Sequence, residues 1–246
     1  MRNCRDNLRV HPGISLGKVA RLRRYPVKSM KGEYLEKTRL DKSGMIGDRY
    51  YAFMDESRKN ETKFPWGWIT ARQVPELLLF EPKYPQNDLK KLEFFSNENR
   101  LSMEEMASYL AKKYSLKVSL KFDEKGNFDS KPVSLIGLST VRQLETESVV
   151  ESDPERFRAN IYAEWEDQRP FYEDDLVGKT LSVGKAKIKI LEKNSRCSIP
   201  TLDPKTAKAT PKIQENITRN HGGFTGVYAS VEESGEVKIG DEIISE

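Results

Sequence analysis

A thiol beside a guanidinium is the pairing in this sequence best suited to chemistry. Cys197 follows Arg196 in the run Lys193-Asn194-Ser195-Arg196-Cys197-Ser198-Ile199-Pro200. A neighbouring positive charge favours the thiolate, the form that attacks electrophiles and ligates metals. Asn194 and Ser195 add small hydrogen-bonding groups next to it. The residues alone leave open an inert cysteine that fills a strand. Three further clusters place polar groups at turns. Lys28 and Ser29 follow Pro26, where a strand should end, and an ammonium beside a hydroxyl suits a phosphate. Gly47-Asp48-Arg49-Tyr50 is read together with Thr70-Ala71-Arg72-Gln73, and Arg156-Phe157-Arg158-Ala159-Asn160-Ile161 is the third cluster. Each also has a plain reading, in which surface arginines pair with carboxylates and Asn160 caps a turn.

Other chemistries lack their residues. Neither a GxGxxG nor a GxxxxGK[ST] loop occurs. The two histidines, His11 and His221, do not suffice for a His-rich zinc site, and a Ser-His-Asp triad is not expected. His221, in Asn220-His221-Gly222-Gly223, reads as a turn histidine. Cys4 is the only other cysteine, so four thiolates for an iron–sulfur cluster are not present.

The chain has 246 residues, enough for one large core or two modest ones. With 33% charged and 37% hydrophobic residues it fits a soluble globular protein. No stretch reaches the roughly 20 apolar residues of a membrane span. The start, Met1 to Asp6, has no signal-peptide core, and two cysteines suit a reducing cytoplasm. Net charge is +4, but between Ile14 and Arg49 there are ten Lys/Arg against four Asp/Glu. That window suits an anionic ligand, although solvated positive charge explains it as well. A nucleic-acid-binding barrel is not expected, because the interleaved surface aromatics are missing.

The elements that must position these groups are mostly strands. Residues 1–13 read as a frayed tail, and Gly17–Tyr25 as a strand of mixed exposure. Tyr34–Leu40, Arg49–Met54, Trp68–Ala71 and Leu77–Phe80 read as further strands, the last two short. Thr180–Val183, Lys185–Leu191, Gly226–Val231 and Val237–Ile244 return to strand late in the chain. Many short strands between Gly, Pro and Asn turns predict a closed or sandwiched β-structure. Ser102 and Glu105 have capping-box spacing ahead of an apolar stripe from Met103 to Tyr114. A second helix is expected over Ser139–Glu147, and a third with Thr210 as cap and Pro211 in its first turn. The charged, turn-rich stretch Asp123–Ser130 is the best boundary between two halves.

Taken in order, the motifs resemble a known family. Tyr25-Pro26-Val27-Lys28-Ser29, Gly47-Asp48-Arg49, Thr70-Ala71-Arg72-Gln73, Arg156 to Asn160, Pro170 to Asp174, Ser195-Arg196-Cys197, Asp203-Pro204-Lys205-Thr206 and Gly235 to Asp241 occur together. The chain from about 17 to 244 resembles MOSC-domain proteins, the molybdenum cofactor sulfurase C-terminal family. Within it, the chain is similar to the two-domain kind that includes the mitochondrial amidoxime-reducing component. The resemblance implies a mainly β (α+β) fold: an N-terminal MOSC β-barrel domain over 14–128, packed on a β-barrel-like MOSC domain over 129–246 with a few short helices.

It also implies a molybdenum cofactor (Mo-molybdopterin) lying between the halves, with Cys197 as the catalytic metal ligand. Lys28, Ser29 and Arg49 would contact it from one side, and Arg158, Asn160, Ser195 and Arg196 from the other. The implied activity is reduction of small N-hydroxylated or N-oxygenated substrates in the cytoplasm. Electrons would come from an external electron-transfer protein, since no flavin or iron–sulfur site is visible. The alternative is a cofactor carrier or sulfur-transfer module that uses a Cys197 persulfide. Three positions depart from the family pattern: Asn194 stands where a further cysteine is frequent, Ala159 where a proline is, and Ala207 where a loop glycine is. The segment after Pro204 is also short, so a different substrate entrance is expected.

Overall fold

The computed structural model describes residues 13–63, 65–96, 99–150 and 153–246. The expected tail, with Cys4 and His11, lies outside them. The chain begins with β1 (Ile14–Arg24), β2 (Glu33–Leu35), β3 (Lys37–Asp41), β4 (Gly44–Met45) and β5 (Tyr51–Asp55). Next come β6 (Glu81–Lys83), β7 (Glu93–Ser96), β8 (Asn99–Leu101), helix α1 (Met103–Tyr114) and β9 (Val118–Phe122). The second half holds β10 (Val133–Gly137), α2 (Leu138–Ser148), β11 (Ile161–Trp165), β12 (Thr180–Val183) and β13 (Ala186–Ser195). It ends with α3 (Lys212–Asn220), β14 (Phe224–Glu233), β15 (Gly235–Lys238) and β16 (Glu242–Ser245).

Seven strands close into a barrel in the order β1-β11-β10-β14-β13-β12-β16, with β16 returning to β1. The mainly β fold expected from the motifs is therefore present. Every pairing in the ring is antiparallel except β10 with β11, and α2 supplies the crossover that a parallel pair needs. The strand β10 is buried along its whole length because it serves two layers. Val133 and Leu135 join the barrel core, while Ile136 packs with Val141 and Leu144 of α2 and Ile213 and Ile217 of α3. At Gly17 the barrel closes so tightly that a Cβ would lie 2.3 Å from the Glu164 carbonyl oxygen. Glycine is required there by the close approach of two backbones.

A second core is built only from residues between Val27 and Leu120. It packs β5 and β9, the sheet β6–β7–β8 and the face of α1 that carries Met106 and Leu110. Ser102 caps α1 as expected, its hydroxyl accepting from Glu105 N while the Glu105 carboxylate accepts from Ser102 N. The cores do not divide at one point of the sequence: Val19, Leu22, Leu40 and Met45 belong to the barrel core with the late strands.

Five local expectations change. Leu77–Phe80 is not a strand; Pro75–Leu79 is a 3-10 turn, because Pro75 starts it and a four-residue apolar run fits either form. Trp68 makes only an isolated bridge to Met54, and Thr70–Gln73 is a turn. Tyr34–Leu40 splits at Glu36, β2 pairing with β1 and β3 with β15. Val237–Ile244 likewise breaks at Gly240, at φ 86°, where the Asp241 carboxylate accepts from Lys238 N. At α3 the residue before the helix is Pro211, without a side-chain cap.

Candidate functional site

The ends of β1 and β13 and the turns before β5 and β11 converge on one cleft of about 470 Å³. Lys28, Ser29, Arg49, Arg158, Asn160, Ser195, Arg196 and Cys197 all line it. The turn after β1 is fixed by Lys28 N donating to Tyr51 O (2.8 Å) and by Met30 N donating to Val27 O. Arg49 is set by its amide donating to Tyr25 O at 2.7 Å. Ser29 (φ 65°), Arg49 (φ 51°) and Arg158 (φ 52°) are in the left-handed region. Each such residue costs on the order of 1 kcal/mol, and strain of this kind gathers where a site needs particular side-chain directions.

Tyr25 is the hub of the cationic wall. Its ring centroid is 4.5 Å from the Arg49 guanidinium carbon and 4.4 Å from that of Arg158. The Tyr25 hydroxyl donates to Ala159 O at 3.2 Å, and its amide donates to the fully buried Asp48 at 2.7 Å. Asp48 also pairs with Arg49. Arg158 donates to Met30 O at 2.6 Å, and burial pushes its pKa down to about 10, with Tyr25 opposing and Arg49 adding to the drop. Counting lining side chains, Lys28, Arg49, Arg72, Lys131, Arg158, Lys193 and Arg196 face only Asp129 and Glu192. Such a surface attracts anions.

Cys197 is an exposed free thiol at this cleft, just beyond β13. The preceding residues are clamped. Arg196 donates from its amide to Gly223 O (2.8 Å) and from Nη2 to Phe157 O (2.6 Å). With its carboxamide turned to suit its neighbours, Asn194 accepts from Arg196 Nη1 (2.6 Å) and donates to the Tyr228 hydroxyl (3.2 Å). The asparagine that departs from the family pattern thus holds the arginine beside the thiol. Ser195 is exposed at the strand end, paired with Phe224.

Not every expected residue has groups to spare. Asn160 is 1% exposed; its Oδ1 accepts from Ser134 N (3.1 Å) and Ser134 Oγ (3.0 Å), and its Nδ2 donates to Arg23 O (3.3 Å). Its carboxamide ties β10 to the end of β1. Lys28 Nζ donates to Asn127 O (2.8 Å) and pairs with Asp129. The Ser29 hydroxyl has no partner among the described residues, so it remains available. Arg156 lies away from the cleft and pairs with Asp203. Thr70 and Gln73 bond to each other, leaving Arg72 to join Arg49 as the cleft residues of that cluster. His221 bonds to Glu147 (2.6 Å) and stacks on Phe171, as suits a turn histidine.

Sequence reading did not select Asp129 or Tyr228. Asp129 was hidden in the turn-rich stretch taken as a boundary. Tyr228 carried a signal, since it lies between the buried Val227 and Ala229 of β14 and so points away from the core. Its phenol keeps its proton because burial raises its pKa, with Arg196 and Arg49 opposing.

Fold and cleft together define a mainly β protein with an accessible thiol on an anion-attracting wall. The chain belongs to the MOSC family: the MOSC N-terminal beta barrel domain matches residues 16–141, and the MOSC domain matches 123–244. That family is linked to molybdenum cofactor binding. No curated protein sequence matches the chain. Among solved structures, the YUAD protein from Bacillus subtilis is similar over 92% of this chain and 93% of its own, at 16% identity and a TM-score of 0.51. At that identity the likeness concerns the fold. YiiM from Geobacillus stearothermophilus covers 47% of this chain and 54% of its own, at 16% identity and a TM-score of 0.38. Among the described residues no helix is long and apolar enough to cross a membrane.

Proposed function

We propose that this cleft takes a molybdenum-bearing pterin cofactor with Cys197 as its protein ligand. The protein then reduces N-hydroxylated or other N-oxygenated compounds, with electrons from a separate reductase. The observation that supports this is the joint placement of an exposed thiol and an excess of cations on one cleft. The donor set fits the group: a soft thiolate suits molybdenum, and cations suit a phosphate-bearing pterin. When bound, such a cofactor supplies two-electron removal of oxygen from a substrate. Among the described residues, the Arg158 and Arg196 side chains hydrogen-bond to carbonyl or carboxamide oxygens and to no carboxylate, so their charge remains for the anionic ligand. Phe128 and Phe224 provide apolar surface in the same cleft.

The test is metal and pterin analysis of protein made in a host competent for the cofactor, beside Cys197→Ser. Stoichiometric molybdenum with pterin, lost in the variant, supports the reading and justifies assays with hydroxylamines. Folded protein without molybdenum overturns it. The exposure of Cys197 also favours a sulfur-transfer reading, because a persulfide needs access to its acceptor. Mass spectrometry of Cys197 in metal-free protein then decides whether a persulfide is carried.

A further inference from the structure

The stretch from Asn127 to Ser130 forms one wall of the cleft and puts a carboxylate into it. Asn127 is anchored: its amide donates to Arg49 O (2.7 Å), and its Nδ2 donates to Arg49 O (3.0 Å) and Tyr50 O (3.1 Å). Asp129, two residues on, pairs with Lys28 and lies 3.4 Å from Arg72 Nη2. Lys28 is 6% exposed, whereas the Asp129 side chain is 38% exposed. The lysine is thus a fixed buried cation, and its counter-ion sits at the solvent side. Ser130 adds only a 3.4 Å bond to Glu192.

The buried carboxylate behind the cationic wall behaves differently. Asp48 is fully buried and holds the Tyr25 amide as well as Arg49, so it cannot leave without loosening the turn. Among the described residues Asp129 holds no backbone amide. Burial raises its pKa, but Lys28 and Arg72 more than offset this and keep it below the usual carboxylate range. At neutral pH it is therefore an anion in a place built for anions.

We infer that Asp129 is a resident stand-in for the phosphate of the ligand. It neutralises Lys28 and Arg72 in the empty protein and is displaced when a phosphate-bearing ligand enters, releasing the 128–131 segment. This rests on the reading of the cleft as a phosphate-bearing cofactor site. Displacement costs the ligand the ion pairs it must break, so the carboxylate sets the loading threshold and rejects weakly charged ligands.

The experiment is calorimetric titration of the full-length, metal-free protein with inorganic pyrophosphate at pH 7. Wild type, Asp129→Asn and Lys28→Gln are compared, with amide hydrogen exchange on the wild type. Removing the competing anion should tighten pyrophosphate binding by tenfold or more, and Lys28→Gln should weaken it. Saturating pyrophosphate should speed exchange at 128–131. Unchanged or weaker binding by folded Asp129→Asn, with Lys28→Gln still impaired, overturns the stand-in role and leaves the anion cleft intact. Slower exchange at 128–131 in the wild type overturns it without recourse to any variant. No binding by wild type or Asp129→Asn overturns both the inference and the phosphate reading beneath it.

Discussion

Arg49 donates from Nη2 to the main-chain carbonyl of Arg158 across 3.3 Å. Two arginines from distant parts of the chain are thereby linked, and the guanidinium carbons of both lie within 4.5 Å of the Tyr25 ring centroid. The two cations repel, Arg49 helping to lower the Arg158 pKa, and the cost is contained by the aromatic face and by one buried carboxylate, Asp48.

Asp48→Asn should therefore destabilise the fold by about 3 kcal/mol, because it leaves Arg49 without its counter-ion in a place shielded from water. Asparagine can still accept from the Tyr25 amide, so the loss reports charge rather than geometry. Urea unfolding midpoints of the two proteins check this. An unchanged midpoint would mean that the aromatic face alone carries the arginine pair.

Asp203 ties the loop that follows Cys197 to the 3-10 turn Pro154–Phe157 that precedes β11. Its carboxylate takes Arg156 Nη2 at 2.8 Å and the amides of Lys205 (2.8 Å) and Thr206 (2.9 Å). Burial raises the Asp203 pKa, but these donors lower it further, so the folded value lies below the ordinary one. A depressed carboxylate contributes stability above its unfolded pKa and loses it as pH falls through the folded pKa. Asp203→Asn should cost about 2 kcal/mol at pH 7. The gap from wild type should close on acidification below the ordinary aspartate range, as stability curves against pH will read. At neutral pH the variant should also react faster at Cys197 with iodoacetamide.

Ala207 occupies the left-handed region at φ 57°, closing the loop with its amide on Asp203 O at 2.7 Å. An alanine here holds a backbone conformation that a glycine adopts without steric cost. Ala207→Gly should raise stability by about 1 kcal/mol, since an L side chain pays for that conformation. A thermal midpoint that fails to rise would show that the loop is not held at this φ in solution.

The site was legible in sequence largely because its groups sit at strand ends and turns, where polar residues interrupt apolar patterns. Lys28 stood out for that reason and Cys197 for the guanidinium beside it, and with Arg49 they converge on one cleft. The capping box at Ser102 was equally plain, since every participant lies within one turn. What could not be read is what depends on distant pairing. Asn160 has a side chain suited to a ligand, yet Ser134 and the Arg23 carbonyl use it up. Asp129 is one acid among several in a polar stretch until the fold sets it against Lys28. The 3-10 turn at Pro75–Leu79 was misread because length and composition of a short apolar run do not separate helix from strand.

Barrel closure joins Ile14 to Ser245, residues from opposite ends of the sequence. During synthesis β1 leaves the ribosome well before β11 and β16, and until they arrive only its Leu22–Arg24 end is paired, with β2. The core between Val27 and Leu120 faces no such delay, because all its members are contiguous. The chain is thus laid out for a two-stage birth: an early nucleus, then a later ring-closing step once β16 is available. A newborn chain spends the interval with an open strand edge, the period in which it most needs a chaperone.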